Sequence, residues 1–286
     1  MTTAQRNANA EQIQYWNEVG GPKWVRFQQM LDSQLEGLGM AALEAASITG
    51  SENVLDVGCG CGSTTLMLAR ELVNGGRAVG IDISRPMLEL ARQRAQQEKL
   101  HNVTFEEADA QTFRFPEEEF EILFSRFGVM FFEDPVKAFE NMRTALRPGG
   151  HVAFVCWQAP DRNPWMSVPV MIGMKHIPLE MSAGPDAPGP FAFADADRVH
   201  RILRNAGFSG ISVEAYNRDL TIGGGGDVDQ AVQFVMELGP FSRAMVDVPE
   251  AKKREIADEI AQALKSFEGP RGVRMPAAAW IVTAEN

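Results

Sequence analysis

Three glycines at alternate positions, Gly58, Gly60 and Gly62, separate an apolar run from a helix-forming one. The run Asn53-Val54-Leu55-Asp56-Val57 reads as a buried strand. Ser63-Thr64-Thr65-Leu66-Met67-Leu68 then begins a helix, with Ser63 or Thr64 as its expected N-cap. Strand, glycine turn and helix together present backbone N–H groups to a ligand. Glycine permits a positive φ there and lets the ligand approach where a Cβ would collide. Two carboxylates flank the turn in space. Asp56 sits at the end of the first strand, and Asp82 ends the next apolar run. A right-handed crossover sets those strand ends side by side. Asp82 can then accept both hydroxyls of a ribose, the alternative being a helix cap or a solvated acid. A dinucleotide-binding turn requires G-x-G-x-x-G, and the place of its third glycine is taken here by Ser63.

These residues need a scaffold, and the chain repeats the strand–helix unit that builds a doubly wound parallel sheet. Strands are expected at Val54–Val57, Ala78–Ile83, Val103–Glu106, Phe120–Ser125 and His151–Trp157. Asn74-Gly75-Gly76 closes the first intervening helix; Ser84 caps the second, with Pro86 in its first turn. A helix over Pro135–Leu146 ends at Arg147-Pro148-Gly149-Gly150. Ahead of this core, residues 11–45 carry apolar positions at helical spacing. They predict two amphipathic helices broken at Gly20-Gly21-Pro22, either packed on the core or closing over the site as a lid. After it, residues 158–190 lose periodicity and read as an insertion. A helix at Asp195–Ala206, a strand over 208–222, a glycine joint at Gly223–Gly226, helices at Val228–Leu238 and Glu250–Phe267, and a last strand at Ala278–Thr283 complete the pattern. The expected organisation is therefore an N-terminal helical lid (1–47), a core (48–160), a substrate-side insertion (161–194) and the rest of the core (195–286) with a helical insertion at 227–270.

The segments VLDVGCGCG, VGIDIS, EEADA, FSRFGVMFF and LRPGGHVAF together resemble the class I S-adenosylmethionine (SAM)-dependent methyltransferases, in particular the ubiquinone/menaquinone-biosynthesis C-methyltransferases and related small-molecule enzymes. The resemblance covers residues 50–157. It implies an α/β fold with a seven-stranded, mostly parallel Rossmann-like sheet, and SAM as cofactor, released as S-adenosylhomocysteine. SAM offers a carboxylate, an ammonium, a ribose and an adenine but no pyrophosphate. Asp56 suits the ammonium, and the N–H groups of Gly58, Cys59, Gly60 and Gly62 suit the carboxylate. Asp82 suits the ribose, with Ile83 and Met87 as apolar walls for the adenine. In the resembling family an acid at the place of Asp109 meets the adenine amino group, beside Ala110; an Asx turn is the alternative. Ser125 and the backbone of Arg126 are expected near the methionine part, and Phe127 is expected to line the site. ALRPGG (145–150) is expected to be a structural cap and turn.

Methyl transfer from a sulfonium is a direct displacement and demands no protein nucleophile. A base is needed only for an acidic acceptor. Of the four histidines, His101, His151 and His200 fall on loops, the far end of a strand or an outer helix. His176 is the one candidate base, with a packing or surface role as its alternative. Trp16, Trp24, Trp157, Trp165, Met166, Met171 and Met174 either line a pocket for a lipophilic or aromatic small acceptor or fasten the lid, and Trp16 and Trp24 are placed beside the cofactor. An NAD-linked oxidoreductase and a non-catalytic SAM-binding protein are the competing readings.

The 286 residues are 45% hydrophobic, enough for one large α/β domain with additions. A net charge of −11 disfavours phosphate-backbone binding, and no N/D-P-P-Y/F tetrad follows the fourth strand, which is also against nucleic acid as partner. No apolar run is long enough for a membrane span, and the polar N-terminus lacks a signal-peptide core. The three cysteines show no zinc spacing. A cytoplasmic protein with no bound metal is expected, and a homodimer is left open.

Overall fold

The computed structural model describes residues 9–178, 184, 186–238, 245 and 248–286. Parts of the expected lid (1–8), of the insertion (179–183 and 185) and of the 227–270 helical region (239–244, 246 and 247) lie outside the described residues. Strands β1 (Asn53–Val57), β2 (Arg77–Asp82), β3 (Val103–Glu107), β4 (Phe120–Arg126), β5 (Leu146–Trp157), β6 (Ser209–Thr221) and β8 (Gly272–Glu285) form one sheet in the order β3-β2-β1-β4-β5-β8-β6. The short β7 (Glu268–Gly269) pairs only with β8. The first five run parallel, and β8 runs against both β5 and β6. The fold is the doubly wound, seven-stranded sheet that the alternation of elements predicts.

Strand order reverses between β1 and β4. In such a sheet the crevice lies beyond the carboxyl ends of the strands at that reversal. β1 is buried from Val54 onward, as a central parallel strand covered on both faces must be. Helices α4 (Ser63–Glu71), α5 (Arg85–Gln97) and α6 (Pro135–Thr144) connect the parallel strands. The core is continuous from Leu35 and Leu38 through Leu55, Phe124 and Phe154 to Phe193 and Val282. A smaller cluster of Cys59, Leu66, Leu88, Ala91 and Phe105 fills the space between α4, α5 and the sheet.

Several local expectations are corrected. The N-terminal segment folds as three helices, α1 (Ala10–Glu18), α2 (Gly20–Arg26) and α3 (Gln28–Ala45). The breaks fall at Val19 and Phe27. Gly20-Gly21-Pro22 opens α2, because proline fits a first helical turn. Gly21 has its own reason: a Cβ there would lie 2.1 Å from the Trp16 carbonyl and 2.3 Å from Ser84 Oγ. The insertion contains a regular helix, α7 (Pro164–His176), which is apolar nearly all round and carries Pro169 inside it. Helix α6 ends at Thr144 and β5 already begins at Leu146, so the Arg147–Gly150 turn lies inside the strand's span. Helix α8 (Ala196–Asn205) is capped by Asp195, α9 (Val228–Glu237) by Asp227, and α10 (Glu250–Leu264) follows. Among the described residues no helix is long and apolar enough to cross a membrane.

Candidate active site

The glycine turn is held from inside. Asp56 is fully buried, and its Oδ2 accepts hydrogen bonds from Thr64 Oγ1 (2.8 Å) and Thr65 Oγ1 (2.6 Å). The carboxylate thus ties the strand end to the first turn of α4, while Oδ1 meets no partner among the described residues. Helix α4 is preceded by Gly62 with no side-chain cap. Thr64, expected as a possible cap, spends its hydroxyl on Asp56 instead. Burial pushes the Asp56 carboxyl up to about 6, against the pull of the two threonine hydroxyls and of Arg126.

Asp82 holds the turn from the neighbouring strand. Its Oδ2 accepts from the Gly60 N–H and its Oδ1 from the Ser84 N–H, both at 2.8 Å. It too is buried and raised to about 6 by burial. Each oxygen keeps a second lone pair for another donor. Three further amides of the turn are also engaged, and that of Cys61 meets no partner among the described residues. Gly58 and Cys59 donate to the Ile81 carbonyl, and Gly62 donates to the Cys59 carbonyl. The N–H groups of Gly58, Cys59, Gly60 and Gly62, expected to meet a carboxylate, therefore serve the turn itself.

The three glycines have different neighbours. A Cβ on Gly58 would lie 2.6 Å from Gly128 Cα, and one on Gly62 would lie 2.9 Å from Ala91 Cβ and 3.2 Å from the Phe105 ring. Both are packed against protein. At Gly60, with φ +55, the nearest atom is Met87 Sδ at 3.8 Å. Gly60 is the glycine that faces open space, next to buried Met87. The Cys59 side chain lies in the core, close above Gly80 and Phe105.

The N-terminal helices lie across this crevice. Asn17 Nδ2 donates to the Ile83 carbonyl and Asn17 Oδ1 accepts from the Arg85 N–H; Ser84 Oγ donates to the Trp16 carbonyl. Trp16 meets Trp24 and Phe131 edge-to-face at 5.9 and 5.3 Å. Asn9 Nδ2 donates to Asp109 Oδ1 at 2.9 Å, and Asn9 also exchanges hydrogen bonds with Glu133. Asp109 further accepts from the Gln111 N–H and the Thr112 hydroxyl. Buried Ala110 gives its carbonyl to Asn141. Beneath α2 and α3 a cavity of about 30 Å³ remains. It is lined by Trp24, Leu31, Asp32, Gly58, Gly60 and Arg126, among others. A small-molecule site is typically about 300–1,000 Å³, so a nucleoside fits only if these helices shift.

On the other side of the turn, Ser125 Oγ donates to the Val57 carbonyl (2.7 Å) and accepts from the Gly128 N–H. Phe127 has φ +61 and stacks on Trp157 at 4.0 Å; Trp157 in turn meets Trp165 at 5.3 Å. Of the expected site residues, Trp24, Gly58, Cys59, Gly60 and Arg126 line the small cavity. Asp82, Met87, Ala110, Ser125 and Phe127 are buried, Asp56 faces inward onto Thr64 and Thr65, and Gly62 packs on Ala91. Ile83, Trp16 and Asp109 are bonded to or packed among the N-terminal residues. His176 stands between α7 and α10. Its Nε2 is 2.7 Å from Glu259 and its Nδ1 3.6 Å from Glu255. His151 Nε2 meets the Ala46 carbonyl.

Sequence reasoning missed Asp32, Arg94, Asn9 and Asn17. Only Asp32 left a signal, a carboxylate next to the buried Leu31 and Leu35 of α3. Asn9 and Asn17 are polar residues at the end or on the flank of a polar helix and stand out only once their partners are known.

Residues 54–150 match the methyltransferase domain family. The core of this chain is a class I methyltransferase domain. A demethylmenaquinone methyltransferase of Listeria welshimeri is 32% identical over 116 residues, 41% of this chain and 49% of that protein. Aklanonic acid methyltransferase DauC of Streptomyces sp. is 32% identical over 117 residues, 41% of this chain and 53% of that one. The chain thus spans about half the length of these curated relatives. The YcgJ protein of Bacillus subtilis shares the fold, with a TM-score of 0.57 at 17% identity over 88% of this chain and 98% of that one. The methyltransferase domain ends at the Gly149-Gly150 turn, so α7 to α10 and strands β6 to β8 lie outside the matched segment.

Proposed function

We propose that this chain transfers the methyl group of SAM to a small lipophilic or aromatic acceptor. One observation carries the reading. A ligand-facing glycine, Gly60, adjoins a buried carboxylate, Asp82, at neighbouring strand tips, in a core matched to methyltransferases. The residues fit such a cofactor. Asp82 retains lone pairs for ribose hydroxyls, Ile83 and Met87 would offer apolar walls, and Asp109, which already accepts from the Gln111 N–H and from Asn9, would meet the adenine amino group with a remaining lone pair. Arg126, which lines the cavity beside the turn, and Ser125 would lie toward the methionine end.

Bound SAM supplies a methyl carbon already activated by its sulfonium. The work left to the protein is to align acceptor, methyl and sulfur and to keep water out. Orientation of that kind is worth up to roughly 7–11 kcal/mol. Helices α1 to α3 serve as the lid that excludes water, anchored by Asn9, Asn17 and the Trp16–Trp24–Phe131 cluster. The acceptor reading rests on aromatic groups on both sides of the crevice, that cluster and the Phe127–Trp157–Trp165 stack. Relatives named for demethylmenaquinone and aklanonic acid support it. No catalytic base is assigned, since His176 is engaged by Glu255 and Glu259.

The test is S-adenosylhomocysteine formation, measured by mass spectrometry, across quinols, phenols, carboxylic acids and amines. Turnover of quinols or phenols is expected. Turnover of polar acids or amines alone overturns the acceptor class, and binding of NADH in place of S-adenosylhomocysteine overturns the methyltransferase reading.

A further inference from the structure

Strand β6 ends the sheet, paired with β8 on one side and with no strand on the other among the described residues. It is 13 residues long, against 5 for β3 at the opposite edge. A long row of backbone N–H and C=O groups therefore points outward, and such a row is a template for a further strand. The ladder with β8 slips between Ser209 and Ser212, where Gly210 takes φ +56, and runs on without a break from Ser212 to Thr221. Along that run Glu214, Ala215, Asn217, Arg218 and Asp219 are exposed and Tyr216 is half-buried.

Charged residues guard exposed edges against pairing. On β6 they are of both signs, and Glu214 and Arg218 stand symmetrically about Tyr216 on one face of the strand. Neither forms an ion pair among the described residues. Glu214 accepts the Ser212 hydroxyl at 3.1 Å, and Arg218 lies against Gly37 of α3. Asp219, by contrast, has Arg274 at 3.7 Å.

The symmetry selects a partner and a register. Two copies related by a two-fold axis present the same edge to each other and pair antiparallel. Opposed residues in an antiparallel pair have backbone groups pointing the same way, so the axis must fall on a residue. An axis at Glu214 or at Arg218 sets that charge against itself, which is destabilising. An axis at Ala215 or Asn217 sets both charges against uncharged side chains. Only an axis at Tyr216 places Glu214 of each copy opposite Arg218 of the other, twice over, with Asp219 opposite Val213. A net charge of −11 on each chain opposes association in general, so local pairing of unlike charges decides which contact survives.

We infer that β6 is a docking edge for a second copy of this chain, the two strands pairing antiparallel about Tyr216 into one continuous sheet. The contact lies away from the glycine turn and is independent of the methyltransferase reading.

The experiment is sedimentation velocity of the full chain and of two charge reversals. The wild type should sediment as a dimer at concentrations up to about 100 μM. Glu214→Arg and Arg218→Glu should each raise the dissociation constant about tenfold or more, since every unlike pair becomes a like pair. Mixing the two variants should restore dimers, because each then supplies the charges that the other opposes. A monomeric wild type overturns the proposal, as does a dimer indifferent to both reversals. Failure of the mixed variants to associate overturns the register about Tyr216. Where a reversal does not fold by circular dichroism, amide exchange of the wild type over residues 213–219 replaces it. Exchange should slow about tenfold between dilute and concentrated protein, and protection independent of concentration overturns the assignment.

Discussion

Alanine at Gly60 and alanine at Gly62 should have opposite consequences, although the two glycines look alike in sequence. Both have positive φ, +55 and +79, and forcing an alanine into that region costs roughly 1–2 kcal/mol. At Gly60 nothing further is added, because the nearest atom to the new Cβ is the flexible end of Met87 at 3.8 Å. At Gly62 the methyl meets Ala91 Cβ at 2.9 Å and the Phe105 ring at 3.2–3.3 Å. Those groups belong to the packed cluster under α4 and α5, and overpacking of that kind costs roughly 1–3 kcal/mol more. Gly62→Ala is therefore expected to lose about 2–5 kcal/mol and Gly60→Ala about 1–2 kcal/mol. Urea unfolding followed by circular dichroism gives both numbers. Titration with S-adenosylhomocysteine gives the complementary result. Gly60→Ala should lose about tenfold or more in affinity, since its methyl stands in the space a ligand would use. Gly62→Ala, where it folds, should bind within a few-fold of wild type. Equal destabilisation by the two, or wild-type affinity in Gly60→Ala, refutes the division of the turn into a ligand-facing and a packing glycine.

The ligand-free protein should be more stable at pH 5 than at pH 7. Asp56 and Asp82, raised by burial from 3.8 to about 6, hold a proton more tightly folded than unfolded. Their contribution is present at low pH and is lost as pH rises through about 6, by at most on the order of 3 kcal/mol each. Glu107 and Asp134, held low by Arg85 and Lys137, act oppositely and lose their contribution as pH falls through their depressed range. Urea midpoints that climb steadily from pH 5 to pH 7 would contradict this. Thr65→Val removes the 2.6 Å donor from Asp56 and should cost about 1–3 kcal/mol at pH 7, with part of the loss recovered at pH 5 as the carboxyl protonates; a pH-independent loss argues against it. Asn9→Ala frees α1 from Asp109 and Glu133. Amide exchange over residues 10–26 should quicken about tenfold, and unchanged protection would show that Asn9 does not fasten the cover. His176→Gln should leave turnover of whichever acceptor emerges within about twofold, roughly 0.4 kcal/mol; a tenfold loss at unchanged S-adenosylhomocysteine affinity would reinstate it as the base.

The part of the fold that could be read from sequence is the part where local chemistry and tertiary context agree. The β1–turn–α4 unit shows this. Its apolar run is buried as a central strand, its glycines take positive φ, and α4 starts at Ser63 as its composition asks. Helix α7 was illegible because its periodicity is erased. A helix with Pro169 inside it and with apolar residues on every side gives no amphipathic stripe to detect. The break between the N-terminal helices was misplaced for a related reason. Gly20 and Gly21 signal a breaker by composition, yet they are small because α2 must approach Trp16 and Ser84 closely, which is a tertiary demand. Strand β8 begins at Gly272, earlier than its most apolar stretch, since pairing with the long β6 extends it.

The same distinction governs the site. Sequence placed two carboxylates beside the glycine turn and could assign both to a ligand, because an acid at a strand tip looks the same whichever way it faces. The structure turns Asp56 inward onto Thr64 and Thr65 and sets Asp82 across the Gly60 and Ser84 amides. Their first effect is to fix the turn. A buried carboxylate with two hydroxyl donors holds a strand end and a helix start in register, and the second carboxylate sets the path of the backbone at Gly60. A turn so held loses little freedom when a nucleoside binds, and binding energy not used for ordering remains available for affinity. Arg126 on β4 reaches Asp32 of α3, so the same strand tip that borders the turn is also tied to the covering helices.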